Sequence, residues 1–286
     1  MVVQVLFTAL VQGITEMFPV SSVGHAVIMP YLLGWTNLTA SDQFLPFVVL
    51  LHLGTAIALL WYFRRDWIEL IGAVLGLGGQ PSGVRRANRR LFALIVVATI
   101  PAAILGKLLE HKLRQLFPSA VSASLFLMLN GVILLFADRL RRRSGQGRSG
   151  RGEIDRMSYA QSFLIGLLQA LALIPGISRS GITMTAGLAT GLSYEEAARF
   201  SFLLATPIIL GAAVLEVPKA VHDHAHTMLA YGVLGGLVAG VFAYLATAFL
   251  MRHFKTHEVR ALRPFAYYCL AVGAVVFVLA LMGWHF

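Results

Sequence analysis

Arg179 lies inside Pro175-Gly-Ile-Ser-Arg-Ser-Gly-Ile-Thr183 and is the only Lys or Arg between Met157 and Ala198. A guanidinium at membrane depth costs about 2.5–3.5 kcal/mol on insertion scales, so an apolar stretch that keeps one is using it, and an anion is its natural partner. Ser178 and Ser180 flank the arginine with hydroxyls and Thr183 follows one turn later. Gly176 and Gly181 let backbone N–H groups approach a ligand closely at the start of a short helix. Bidentate fork, hydroxyl donors and the positive end of a helix dipole together make a phosphate or pyrophosphate cradle. The rival reading is a Ser/Thr-lined packing turn with Arg179 snorkelling, and the distance of Arg179 from either end of the apolar stretch speaks against it.

A second group stands near the start of the chain. Gln12 and Glu16 are four residues apart, so a helix stacks them on one face, where their oxygens could hold a divalent cation or position a water. Pro19-Val-Ser-Ser-Val-Gly-His25 then breaks the segment and presents Ser21, Ser22 and His25. A hydroxyl beside an imidazole can act as nucleophile and base, Ser22 attacking phosphorus while His25 handles the proton; alternatively His25 itself attacks. One of the two serines also suits a helix N-cap. Glu16, Ser22, His25 and Arg179 are therefore the candidate catalytic residues, and Gln12 with Glu16 the candidate metal ligands. Ser21, Ser178, Arg179, Ser180 and Thr183 are the candidate phosphate-binding residues.

The rest of the chain explains how two such groups could share a site. Of its 286 residues, 58% are hydrophobic and 13% charged, more apolar surface than a soluble domain could bury, so the fold class is an all-α polytopic membrane protein. The net charge of +10 does not imply nucleic acid, because the basic residues fall in short connections and form no stripe with interleaved aromatics; lipid headgroups suit them better. Cys269, the only cysteine, excludes an intrachain disulfide and reads as a small membrane-facing residue. The opening Met-Val-Val-Gln-Val-Leu-Phe lacks a basic region and a cleavage site, so it is expected to be retained.

Six apolar runs of spanning length fall at 44–63, 91–109, 119–137, 197–217, 228–251 and 263–283. Two more, 2–34 and 158–193, are interrupted by Pro19 and by Pro175-Gly176, leaving halves too short to cross. Irregular backbone at membrane depth survives only where protein or a wet cavity satisfies it, so both are predicted to be re-entrant helix–turn–helix hairpins. Connections 64–90, 138–156 and 252–263 carry 17 of the Lys and Arg residues, against 4 on the opposite face, which makes the first face cytoplasmic and places both termini outside. The hairpins then enter from opposite leaflets and their tips meet. Gln12-Gly-Ile-Thr-Glu-Met-Phe-Pro19 is loosely repeated as Gln169-Ala-Leu-Ala-Leu-Ile-Pro175, which predicts one membrane domain, 1–286, of two inverted repeats, 1–137 and 157–286, joined by the basic linker 138–156. Segment 78–90 reads as a polar connection, 144–152 as a flexible linker, and His222-Asp-His-Ala-His226 as a solvated turn. Glu195-Glu196 after Ser193 reads as a capped helix start.

The two motifs, Gln-x-x-x-Glu running into Pro-Val-Ser-Ser-x-Gly-His and Pro-Gly-x-Ser-Arg-Ser-Gly-x-Thr, resemble those of the bacterial undecaprenyl-pyrophosphate phosphatases, the bacitracin-resistance proteins. The resemblance covers nearly the whole chain. It implies a multi-pass enzyme of the bacterial inner membrane that hydrolyses undecaprenyl pyrophosphate to undecaprenyl phosphate and inorganic phosphate, recycling the carrier for cell-wall synthesis. It further implies an active site open to the outer side, formed by both motifs and supported by Mg²⁺ or Ca²⁺. The partners are then a polyprenyl pyrophosphate lipid and the membrane, with no nucleic acid; a homodimer is compatible with this reading. Gln12 replaces a frequent Glu, which leaves Glu16 as the main anionic ligand, and Val23 replaces a frequent Thr. Broken helices and inverted repeats are also transporter architecture, so a transporter or flippase of a phosphorylated lipid is the alternative, and a membrane scaffold a third reading. Neither of these requires the Glu16, Ser22 and His25 group.

Overall fold

The computed structural model describes residues 2–35, 44–114, 119–143, 154–222, 226–257 and 260–284. Among them the chain is helical and has no strand: α1 Val2–Met17, α2 Ser22–Leu32, α3 Phe44–Tyr62, α4 Arg64–Leu75, α5 Ser82–Arg114, α6 Ala120–Arg143, α7 Tyr159–Gln169, α8 Arg179–Ala189, α9 Tyr194–His222, α10 His226–Thr256 and α11 Arg263–Leu281. Short 3₁₀ turns occupy Ile154–Arg156 and Ala170–Leu173. Five of these helices are long and apolar enough to cross a membrane, and the bent pair α3–α4 makes a sixth candidate. Their outer faces carry rows of exposed apolar side chains, such as Val96, Ile100 and Ile104 on α5 or Leu125, Leu129, Val132 and Phe136 on α6. Rows of that kind suit lipid and not water.

The six spans drawn from hydropathy coincide with α3, α5, α6, α9, α10 and α11, but the connection expected over 64–90 is mostly helix. Helix α4 turns away from α3 by 76°, and α5 begins at Ser82, so Arg85, Arg86, Arg89 and Arg90 are its first turns. The reason is an amphipathic pattern short enough to pass for a loop: Leu70 and Ala73 are buried while Ile68, Ile71 and Val74 face outward, as on an interfacial helix. Arg199 of α9 ties this helix down through Asp66, at 2.6 Å. Ser193 caps α9 through the Glu196 N–H, as its sequence suggests. Cys269 is not membrane-facing; it is fully buried against Asn130, because α6 and α11 pack along their length and leave no lipid at that position. Linker 144–152 and the turn at 223–225 lie outside the described residues.

Helix α1 packs on α10, and α7 packs on α5; α3 lies against α9 and α10. These contacts bring two breaks together, one at 18–21 between α1 and α2, the other at 174–178 between the 3₁₀ turn and α8. Breaks expose backbone donors and acceptors that an apolar surrounding cannot satisfy. Here each break satisfies the other. The Ser21 hydroxyl accepts from the N–H groups of Gly24 and Gly176 and donates to the Ile177 carbonyl, at 3.2 Å each. Ser180 donates to the Phe18 carbonyl. Asn130 of α6 stands between them, donating to the Pro19 carbonyl at 2.9 Å and accepting from the Ser178 N–H at 3.0 Å.

Close approach dictates the glycine at the second break. Gly176 has φ 107° and a Cβ there would meet the Ala123 carbonyl at 2.4 Å, so neither conformation nor space admits a side chain. Ser21 adopts φ 67° without being glycine, a strain of about 1–3 kcal/mol that its three hydrogen bonds offset.

Asn130→Leu keeps the volume of this side chain and strands the Pro19 carbonyl and the Ser178 N–H. The expected cost is about 3 kcal/mol, read as unfolding in detergent; wild-type stability would show that the two breaks do not depend on this bridge.

Candidate functional site

Helix α1 needs no polar residue for its own stability, yet it buries Gln12 and Glu16 side by side on one face. Gln12 Nε2 donates to Glu16 Oε2 at 3.1 Å, the contact expected of residues four apart. The break after Met17 then folds the chain back, so that Ser22, the first residue of α2, donates its hydroxyl to the same Oε2 at 2.6 Å. Arg179, the first residue of α8, reaches Oε1 through Nη2 at 2.9 Å and donates Nη1 to the Ser201 carbonyl at 3.2 Å. From α3, His52 Nε2 lies 3.1 Å from Glu16 Oε2, and its Nδ1 lies 2.8 Å from the Val48 carbonyl. Both ring nitrogens face acceptors, which both can satisfy as donors only in the imidazolium form.

A cavity of about 210 Å³ opens beside this cluster. Its polar wall includes Glu16, Ser21, Ser22, His52, Ser178 and Arg179, and its apolar wall includes Ala172, Leu173, Ile208, Ile209 and Ala212. One carboxylate faces a guanidinium and an imidazolium, so the polar end carries excess positive charge in a place shielded from water, where charge interactions are strong. Arg179 commits two of its five N–H groups to Glu16 and Ser201, so its fork is only partly used. Such a cavity accepts an anionic head joined to an apolar body.

The residues singled out from sequence divide into two groups. Glu16, Ser22, Arg179, Ser21 and Ser178 reach the cavity wall. The Ser21 hydroxyl is already saturated by protein partners, and it is the serine that caps α2. Ser178 caps α8 by accepting from the Gly181 N–H and shares a 3.0 Å contact with Ser180. Thr183 donates to carbonyls one turn back or bonds the Ser201 hydroxyl at 2.6 Å. Ser180 and Thr183 thus brace the turn from behind. His25 is not brought to the Ser22 hydroxyl: Nδ1 donates to the Ser21 carbonyl at 2.7 Å, and Nε2 accepts from Tyr268 at 2.8 Å.

Sequence reading missed His52, Ser201, Asn130 and Tyr268. His52 had a usable signal, since an imidazole in the middle of Phe47-Val-Val-Leu-Leu-His-Leu is an ionisable group within a membrane span. The others are single polar residues on long apolar helices, and only the packing reveals what they meet.

Gln12 and Glu16 do not form a ready cation site. Gln12 turns its amide N–H toward Glu16, its Oε1 is buried without a partner, and both Glu16 oxygens are taken by Arg179, His52, Ser22 and Gln12 itself. Among the described residues there is no cluster of three or more His, Cys, Asp or Glu side chains able to hold a metal ion.

The family model described as "Bacitracin resistance protein BacA" matches residues 5–275. The chain is 49% identical over 275 residues to "Undecaprenyl-diphosphatase 2" of Chromobacterium violaceum, covering 96% of each chain. It is 50% identical to "Undecaprenyl-diphosphatase" of Granulibacter bethesdensis over 95% of this chain and 94% of that one. With the protein of the same name from Acidiphilium cryptum it shares 49% identity over 98% of both.

Replacing Glu16 by Leu leaves two partly buried cations, Arg179 and His52, without their carboxylate and should destabilise the protein by about 3 kcal/mol, the low end for a buried pair because both cations keep some exposure. Adding Arg179→Leu to Glu16→Leu should cost far less than Arg179→Leu alone. A double-mutant cycle of detergent unfolding measures this, and additivity within about 0.5 kcal/mol would show that the two residues do not interact.

Proposed function

Because the chain belongs to the bacitracin resistance protein BacA family, matched over most of its length, we propose that it hydrolyses undecaprenyl pyrophosphate to undecaprenyl phosphate and inorganic phosphate. It would thereby recycle the lipid carrier for cell-wall synthesis. The observation that carries the mechanism is the 2.6 Å hydrogen bond from Ser22 to a Glu16 carboxylate that Arg179 and His52 hold in place.

The pyrophosphate head enters the polar end of the cavity and the polyprenyl tail leaves along the apolar wall. Ser22 Oγ attacks the terminal phosphorus and its proton passes to Glu16, which already accepts it as a hydrogen bond. The bridging P–O bond breaks, and its electron pair stays on the phosphate of the departing lipid. Arg179 turns its remaining N–H groups to the transferring phosphoryl oxygens, where preorganised donors stabilise charge as it spreads. Water then attacks the phosphoserine; the bond from phosphorus to Ser22 Oγ breaks as Glu16 returns its proton to that oxygen, and both water protons leave on the inorganic phosphate, so that Glu16 is again a carboxylate. His25 acts by holding the Ser21 carbonyl, and with it the turn that aims Ser22. Ser178, Ser180 and Thr183 keep the Arg179 turn in shape. An anion transporter has no use for a serine aimed by a carboxylate, so hydrolysis is favoured over transport.

Three further features belong to this reading. The two halves form an inverted repeat, supported by the exchange of partners in which α1 packs on α10 and α7 on α5. The basic connections face the cytoplasm, which leaves both termini and the mouth of the site outside, supported by the uneven distribution of Lys and Arg. A bound Mg²⁺ or Ca²⁺ would neutralise charge on the diphosphate, and Gln12 and Glu16, which already bond each other, would have to give up that contact to hold it.

Purified protein in detergent should release phosphate from a polyprenyl diphosphate, and a chelator should suppress the release. Arg179→Ala and Ser22→Ala should each lower kcat by at least about a hundredfold, with the proteins still folded, while His25→Ala should retain more activity than Ser22→Ala. Full activity of Ser22→Ala would remove the serine mechanism, and full activity of Arg179→Ala would remove the phosphate cradle.

A further inference from the structure

Gln169 closes α7 and is 3% exposed, yet neither its Oε1 nor its Nε2 has a hydrogen-bond partner. A buried carboxamide left wholly unused is rare in folded proteins and marks a place where something else binds. The side chain stands on the wall of the cavity that holds Glu16, Ser22 and Arg179. Gln12, which occupies the matching place in the first half of the sequence, differs: its amide nitrogen is committed to Glu16. Only Gln169 keeps both N–H groups free for a ligand.

Its position indicates which part of a ligand it meets. Directly after Gln169 the chain runs along the cavity as Ala170, Ala172 and Leu173, so this polar group is joined to the apolar stretch of the wall. We propose that Gln169 is a substrate-binding residue whose amide donates to the phosphate that stays on the lipid, while Arg179 and Ser22 attend to the terminal phosphate. The assignment rests on the diphosphatase reading and deepens it. As the bridging bond breaks, negative charge grows on the phosphate that Gln169 holds, so its hydrogen bond strengthens along the reaction. The same contact persists in the monophosphate product and should contribute to product inhibition.

Farnesyl diphosphate serves as the probe substrate and farnesyl monophosphate as the inhibitor, with the full-length protein in detergent. Gln169→Leu and Gln169→Met keep the volume and remove the donors. Both should lower kcat/KM about tenfold or more and weaken inhibition by the monophosphate, with a melting temperature equal to or above that of the wild type, since an unpaired buried amide is lost. Wild-type kcat/KM in either folded variant would overturn the assignment. So would a loss of activity that comes with a lower melting temperature and unchanged monophosphate inhibition, the signature of a merely structural side chain. If the wild type itself releases no phosphate, the diphosphatase reading falls and this assignment with it. If Ser22→Ala and Arg179→Ala are inactive while the Gln169 variants are not, this assignment alone falls.

Discussion

A single carboxylate held between two cations inside an apolar shell organises this protein. Glu16 takes Arg179 on one oxygen and His52 on the other, and the second oxygen also receives the Ser22 hydroxyl. No member of that group is stable alone at such depth: an unpaired charge there costs several kcal/mol, about 3–5 when one partner of a buried pair is removed. The carboxylate comes from α1, the hydroxyl from α2, the imidazole from α3 and the guanidinium from α8, so the cluster forms only when four separate elements have reached their places. The same electrostatics that hold the fold leave excess positive charge facing a cavity. That surplus is what an anionic head needs on leaving water.

Charge could not be concentrated this way without breaking helices. An intact α1–α2 would send Ser22 past Glu16 and up the next turns, and an intact α7–α8 would bury Arg179 in a helix side. The breaks free backbone groups, and the fold answers by pairing each break with the other through Ser21, Ser180 and Asn130. The site and the repair of its backbone are therefore one structure. The second-half carboxamide, Gln169, is a polar group that the repair leaves unused at both ends of its amide.

Much of this was legible in sequence because membrane insertion makes polar residues conspicuous. Arg179, Glu16 and Ser22 stand out against apolar neighbours, and the prolines at 19 and 175 announce the breaks. Division of labour among the hydroxyls was not legible. Ser21 and Ser22 are adjacent and chemically alike, yet the left-handed backbone at Ser21 turns one into a pin between tips and the other toward Glu16. His25 and His52 show the same limit. The motif drew attention to His25, while the packing of α3 against α9 gave the position beside Glu16 to His52. Helix α4 escaped because its amphipathic pattern runs for only twelve residues, too short to read as a span, and lies within a connection rich in Arg; Arg199 then ties it to α9 through Asp66.

The central claim is that Glu16 aims the Ser22 hydroxyl at phosphorus. Rapid quenching of the reaction with a polyprenyl diphosphate labelled in its terminal phosphate, followed by peptide mapping, tests it most directly. The account predicts an acid-stable phosphoester on the peptide containing Ser22, absent when Ser22 is alanine. An acid-labile phosphate on His25, formed equally well without the Ser22 hydroxyl, would contradict it.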